Sequence, residues 1–286
     1  MTTLKPWLSA IVTTIANPGA LLVFAIIYAF LLVASYLFIW IREATIWQVL
    51  ITYALMILIP LGFFAFQAAI INRVLDQKFR WRVILIDTLK FLAVTIPVLL
   101  GVWLLYYLLN KISARYPAPL VEVLPVNPAA RPTTQTPPAT PPLHWPSLIF
   151  TTLRFVLLGV AFPLATIHLW IAVAGGELRN LFRDGAKSSV KRIGAALARA
   201  FSSNSVLIYG LGLIIFLVLP YVILVPTFFI GGNKTEFAFF GLRLLLAFLF
   251  SLVGWVSTLA ALARTVPASP DEVVASGVAL QTESAA

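Results

Sequence analysis

No cysteine occurs among the 286 residues. Disulfides, thiolate metal ligands and cysteine nucleophiles are therefore excluded. Acids are scarce as well: Asp and Glu total 10 against 20 Lys and Arg, and charged residues of every kind make up 10% of the chain. None of the acids falls in the middle of an apolar run; Asp87 lies nearest, with Lys90 three residues on at pairing distance along a helix. Histidine occurs only as His144 and His168. A structural or catalytic zinc site needs three or four protein ligands, and His168 has no acid or second histidine on a neighbouring apolar run. No metal and no cofactor is expected. The sequence also lacks a G-x-S-x-G elbow, a P-loop, an H-E-x-x-H pair and a Gly-rich dinucleotide fingerprint. The chain is read as not an enzyme.

What it has in abundance is apolar side chains, 61% of the total, with a mean hydropathy of +0.99. Soluble domains hold about 45–50% apolar and about 25% charged residues, and no single soluble core of this length hides such a surplus. The surplus must face lipid. Six stretches are long enough to cross about 30 Å of hydrocarbon: 20–41, 47–71, 91–109, 147–174, 205–230 and 237–263. They lack the two-residue alternation of barrel strands. The predicted fold is all-α, a polytopic transmembrane bundle of six spans with amphipathic interfacial helices. The first run has full spanning length and no small-x-small cleavage site, so it reads as an uncleaved first helix rather than a signal peptide.

The net charge of +10 is not spread as on a nucleic-acid-binding domain. It gathers in segments 72–90 and 175–204, which carry Arg73, Lys78, Arg80, Arg82 and Lys90, then Arg179, Arg183, Lys187, Lys191, Arg192 and Arg199. The opposite short loops hold Arg42 and Lys234. By the positive-inside rule both basic segments and both termini are cytoplasmic. Compactness and short loops point to a bacterial cytoplasmic membrane. Expected contacts with anionic lipid of the cytoplasmic leaflet, or with a protein partner, are Arg80, Arg82, Lys90, Arg183, Lys187, Lys191, Arg192 and Arg199. No nucleic acid is expected.

The domain organisation follows. Residues 1–18 form an amphipathic N-terminal segment, 19–264 the membrane domain, and 265–286 a cytoplasmic tail expected to be disordered. The outer loop 110–146 is a proline-dense, extended strap dividing the spans three and three. Three segments read as amphipathic. Residues 6–16 place Trp7, Leu8, Ile11, Val12 and Ile15 on one face; 79–90 do so with Trp81, Ile84, Leu85 and Thr88; 190–201 with Val190, Ile193, Leu197 and Phe201. Aromatic residues, among them Trp40, Trp47 and Trp103 outside and Trp170 inside, are expected at the interfaces. Residues 59–69 resemble 162–172, and each stretch is followed by a basic amphipathic segment (59–90 and 162–201 in all), which would make a parallel repeat.

Within the spans, His168 and Gln67 are the polar residues to weigh, and both are expected to serve packing. Ala247, Ser251, Gly254, Thr258 and Ala261 make a small-residue stripe for close helix contact, within the bundle or through a homo-oligomer along 237–263. Prolines 60, 97, 163, 220 and 226 should kink four helices. The expected function is that of a non-catalytic membrane subunit, scaffold or lipid-associated factor. The alternative is a transporter or permease component moving an uncharged or lipidic substrate, and an intramembrane enzyme centred on His168 is a distant third.

Overall fold

The computed structural model describes residues 4–42, 44–76, 79–116, 144–176, 186–225 and 233–265. Most of the proline-rich strap, Arg183, and the tail beyond Thr265 lie outside this set, as do the side chains of residues 186–189 and thus of Lys187. Every regular element described is a helix. In chain order these are α1 (Leu4–Ile15), α2 (Pro18–Trp40), α3 (Ile46–Asp76), α4 (Trp81–Ser113), α5 (Trp145–Arg154), α6 (Phe162–Ala174), α7 (Ala186–Ala200), α8 (Ser203–Leu213), α9 (Leu219–Leu224) and α10 (Asn233–Arg264). Six of the resulting rods are long and apolar enough to cross a membrane, α5–α6 and α8–α9 each counting as one. The protein is an all-α, multi-pass membrane bundle.

Local chemistry sets the ends. Pro18 occupies the first turn of α2, where its missing N–H costs nothing. Thr45 and Gln48 cap α3 reciprocally: the Gln48 N–H donates to Thr45 Oγ1 at 3.4 Å and the Ala44 N–H to Gln48 Oε1 at 3.1 Å. Gly176, at φ 77°, takes the left-handed conformation that closes α6. Two of the prolines inside spans follow a π-helical stretch: Phe155–Ala161 precedes Pro163, and Ile214–Val218 precedes Pro220. A wider turn moves the i−4 carbonyl away from the proline ring. By contrast, α3 and α4 run through Pro60 and Pro97 as α-helix.

The chain forms two compact units, residues 1–97 with 163–286 and residues 98–162. This division does not follow the strap, because helices from both sides of it pack into the larger unit. In the smaller unit the Tyr116 and Phe150 rings lie 6.1 Å apart, and Arg154 donates to Ser113 Oγ at 2.8 Å. In the larger unit the core sits at one end of the spans. Leu164 to Val173 of α6 is buried on every face, as are Phe66 to Asn72 of α3 and Val256 to Ala263 of α10. That end adjoins the basic segments. Toward the opposite end α2, α3 and α10 expose Phe38, Trp40, Trp47, Leu50 and Leu244, a surface suited to hydrocarbon.

On the three amphipathic segments the residues packed against the rest of the chain are only partly those of the apolar faces. In α1 the buried residues are Trp7 and Ala10, while Leu8, Val12 and Ile15 are exposed. In α7 they are Ala196 and Ala200, with Val190 and, just past the helix, Phe201 exposed. Residues 81–90 are not a separate interfacial helix but the first turns of α4, and Ile84, Asp87, Thr88 and Phe91 face inward while Trp81 and Leu85 face out. The physical reason is common to all three. Lipid accepts large apolar side chains as readily as a protein core does, so Val12, Leu85 and Val190 can stay outside while small or polar residues such as Ala10, Asp87 and Ala196 share the packing with Trp7, Ile84 and Phe91. Trp170, expected at an interface, is buried. Its ring stacks on Phe91 at 5.7 Å, and its Nε1 donates to Thr95 Oγ1 at 2.9 Å.

The small-residue stripe of α10 is used within the chain. A Cβ on Gly254 would stand 2.8 Å from Ile215 Cγ2 and 2.9 Å from the Phe216 backbone nitrogen. Ser251 Oγ donates to the Phe216 carbonyl at 3.0 Å, and Thr258 faces Gly212. A homo-oligomer through 237–263 would have to use the other face of α10, which carries the exposed Leu242, Leu245 and Leu249.

Candidate functional site

The basic end holds three buried polar clusters and one basic cavity, all in the larger unit. The first cluster joins α3 to α4. Asn72 Nδ2 donates to Asp87 Oδ2 at 3.0 Å and to the Ala68 carbonyl at 3.0 Å, and Lys90 Nζ reaches Asp87 Oδ1 at 2.9 Å. The Asp87 side chain is 4% exposed and that of Lys90 49%, so the ammonium keeps water while the carboxylate does not. This corrects the expectation that Asp87 marks the end of an interfacial helix. The carboxylate is tolerated because both oxygens are bonded.

The second cluster is built on His168. Its Nδ1 lies 3.0 Å from the Leu164 carbonyl, and a carbonyl only accepts, so Nδ1 carries the proton. Nε2 then accepts from Ser205 Oγ at 3.1 Å, and Ser202 Oγ donates to Ser205 Oγ at 3.0 Å. Ser202 also caps α8, accepting the Ser205 N–H at 3.3 Å. Both ring nitrogens are thus committed, and His168 and Ser205 are 2% and 1% exposed. A serine–histidine contact of this kind has the order of a nucleophile and its base, but neither residue lines the two cavities described below. It fastens α6 to the start of α8.

The third is Gln67 on α3, fully buried. Trp255 Nε1 donates to Gln67 Oε1 at 2.8 Å. Indole nitrogen is a donor only, which fixes the orientation of the amide. The Nε2 group, with two N–H donors, has no hydrogen-bond partner. An unmet buried donor of this type costs about 1–3 kcal/mol. Gln67 also lines a cavity of about 290 Å³ between α2, α3 and α10, whose walls are otherwise chiefly apolar, with Tyr28, Leu31, Phe63 and Phe216 among them.

The basic cavity lies beside it, about 460 Å³, where α1, α2, α3 and α10 meet. Arg73 and Arg264 stand at its wall with Thr13, Thr14 and Asn17, and Phe24 and Ile70 line its apolar part. Arg264 donates to Thr13 Oγ1 at 3.1 Å, and the Arg73 guanidinium lies 5.5 Å from the Phe79 ring centroid. Among the described side chains the one ion pair is Lys90–Asp87, and neither arginine meets a carboxylate of that set; the side chain of Asp76, three residues after Arg73, lies outside it. Two guanidiniums, three neutral hydrogen-bonding side chains and an apolar floor fit an anion that carries hydrocarbon.

Of the residues singled out in the sequence, Arg80, Arg82 and Lys191 are exposed, Arg192 and Arg199 are half-buried, and none of them lines this cavity. Arg199 Nε reaches the Ala195 carbonyl at 3.4 Å on its own helix. Arg243, near the far end, caps α9 by donating to the carbonyls of Ile223 at 2.6 Å and Leu224 at 2.7 Å. The cavity arginines are the ones that sequence reasoning passed over. A signal existed: Val256, Ala260 and Arg264 fall at i, i+4 and i+8 on α10, a small-residue face that ends in a cation. The chain matches no protein-family model, no curated protein and no solved structure.

Proposed function

We propose that this chain is a non-catalytic, lipid-associated membrane protein that holds the headgroup of an anionic phospholipid at its basic end. The observation that carries the reading is the cavity walled by Arg73 and Arg264, which brings two guanidiniums to its rim and apolar side chains beneath. Bidentate guanidinium donors suit a phosphodiester. The distribution of Lys and Arg supports a cytoplasmic basic end with both termini there, and hence the inner leaflet, where anionic lipid concentrates. The exposed cations Arg80, Arg82 and Lys191 add a general attraction to the same surface, worth about 1 kcal/mol each near an anionic leaflet. A subunit or scaffold role is compatible with this site, since a lipid held at an interface can also seat a neighbour.

The test is a lipid-retention measurement by native mass spectrometry on the full chain, offered phosphatidylglycerol and phosphatidylcholine of the same acyl composition. Phosphatidylglycerol should be retained preferentially, and the preference should fall about tenfold in the Arg73→Ala/Arg264→Ala variant, as expected for losing two charge-assisted contacts. Equal retention of the two lipids by the native protein rejects the reading.

A further inference from the structure

We propose that the apolar cavity beside the basic one receives the acyl region of the same lipid, and that Gln67 Nε2 donates to one of its ester carbonyls. The inference rests on the headgroup reading above and extends it by naming the ligand as a diacyl ester glycerolipid.

Three observations lead there. First, the two cavities lie at successive levels along the same three helices. On α2 the basic cavity is lined at Leu21 and Phe24 and the apolar one at Tyr28, Leu31 and Ser35; on α3 the order is Arg73 and Ile70, then Gln67, Phe63 and Ile59; on α10 it is Arg264, Ala260 and Val256, then Trp255 and Ser251. Along α3 and α10 the lining passes from an arginine toward apolar side chains in the same sense, with the uncharged α2 beside them, which is how a phospholipid is arranged. Their boundary is the edge-to-face pair of Phe24 and Phe66, 6.1 Å between centroids.

Second, the polar groups of the apolar cavity are placed at the level a glycerol ester would occupy. Gln67 and Trp255 lie at the margin nearest the basic cavity, while Ile59, Phe63 and Leu32 extend away from it. Gln67 precedes Arg73 by six residues, about 9 Å along a helix. An acyl ester sits between a phosphate and its hydrocarbon, so one molecule meets the arginines and then the amide in that order.

Third, the amide calls for an acceptor rather than a donor. Oε1 is taken by the Trp255 N–H, and Nε2 has no partner. A carbonyl oxygen satisfies it, whereas an ether oxygen, a poorer acceptor shielded by its two alkyl chains, or a hydrocarbon does so weakly or not at all.

The experiment compares phosphatidylglycerol with its diether analogue of equal chain length, again by native mass spectrometry of the full chain. The native protein should retain the diester about fivefold better, the value of one net hydrogen bond. In Gln67→Leu the ratio should fall to about one. Because each ratio is taken within one protein, partial loss of folded material cancels. Equal retention of diester and diether by the native protein overturns the proposal, as does a diester preference that survives Gln67→Leu. A stoichiometric ester-free isoprenoid carried through purification and displaced by neither lipid would also overturn it. Failure of the headgroup reading is separately visible. In that case phosphatidylcholine and phosphatidylglycerol are held alike, and the claim that one anionic lipid spans both cavities falls even if a diester preference remains.

Discussion

Two intramembrane polar side chains, His168 and Gln67, look alike in the sequence, and the structure treats them differently. His168 has a partner for each ring nitrogen, both from its own chain, and lines neither the basic nor the apolar cavity. Gln67 has a partner for its oxygen and none for its nitrogen, and it borders a cavity. Both are buried, so burial alone does not separate packing from recognition. What separates them is whether the fold uses up the hydrogen-bonding capacity of the group. A saturated polar residue is a fastener, and an unsaturated one beside a cavity is set for something that comes from outside the chain.

The comparison breaks most severely if His168 is removed. His168→Ala leaves Ser205 Oγ without its acceptor and opens space in the most enclosed helix of the larger unit. The expected loss is about 2–4 kcal/mol of stability, from the cavity and the unmet hydroxyl together. Thermal unfolding in detergent reads it directly, and lipid retention by the surviving folded fraction should be unchanged. A stable His168→Ala protein with altered lipid binding would reverse the roles assigned to the two residues.

Lys90 tests a third polar group that is saturated, but only with help from the surface. Lys90→Met leaves the buried Asp87 carboxylate with Asn72 alone. Removing one partner of a fully buried pair costs about 3–5 kcal/mol; with Lys90 half-exposed, about 1–3 kcal/mol is expected by the same argument. Lys90→Met/Asp87→Leu should recover part of the loss, because no buried charge then remains. A double variant as unstable as the single one would mean that Asn72, rather than the charge pair, dominates the contact.

How much of this was legible in the sequence depends on what lipid can substitute for. The six spans and the basic segments were readable, since length and hydropathy are all that a bilayer asks of a helix. The inward faces of α1, α4 and α7 were so only in part. In water a large apolar residue signals the core; in a bilayer Leu85 and Val12 are as well placed outside, and Ala10, Ala196 and Asp87 share the packing. The cavity arginines were visible as charges, but their convergence needed α1 to lie against α10, a contact between residues about 250 positions apart, as the Arg264–Thr13 bond records at a separation of 251. Gln67 was visible too, yet its half-used amide depends on Trp255, 188 residues away.

Gly254→Val sharpens the comparison from the side of the apolar cavity. The added side chain would press on Ile215 and the backbone of Phe216, a wall residue of the apolar cavity. Overpacking of this kind costs about 1–3 kcal/mol, and diester retention should fall as the wall moves, while His168, which lines neither cavity, keeps its partners. If α10 instead used this stripe between copies, the variant would change the oligomeric state at constant monomer stability, and native mass spectra would show it.

The smallest effect is the most telling. Gln67→Leu alone leaves the Trp255 N–H without an acceptor, so its stability reports two changes at once. Gln67→Leu/Trp255→Phe removes both polar partners and keeps the approximate shape, a replacement that is close to neutral when a hydrogen bond is lost from both sides. The double variant should therefore unfold within about 1 kcal/mol of the native protein, and it also sheds the unmet Nε2 donor, which offsets the lost bond. A larger loss, comparable with that of His168→Ala, would mean that the Gln67–Trp255 contact is a fastener after all and that the amide belongs to the architecture of α3 and α10. Near-neutral stability combined with loss of diester preference would leave ligand recognition as the role of Gln67, since a group whose removal the fold scarcely registers is not there to hold the fold together.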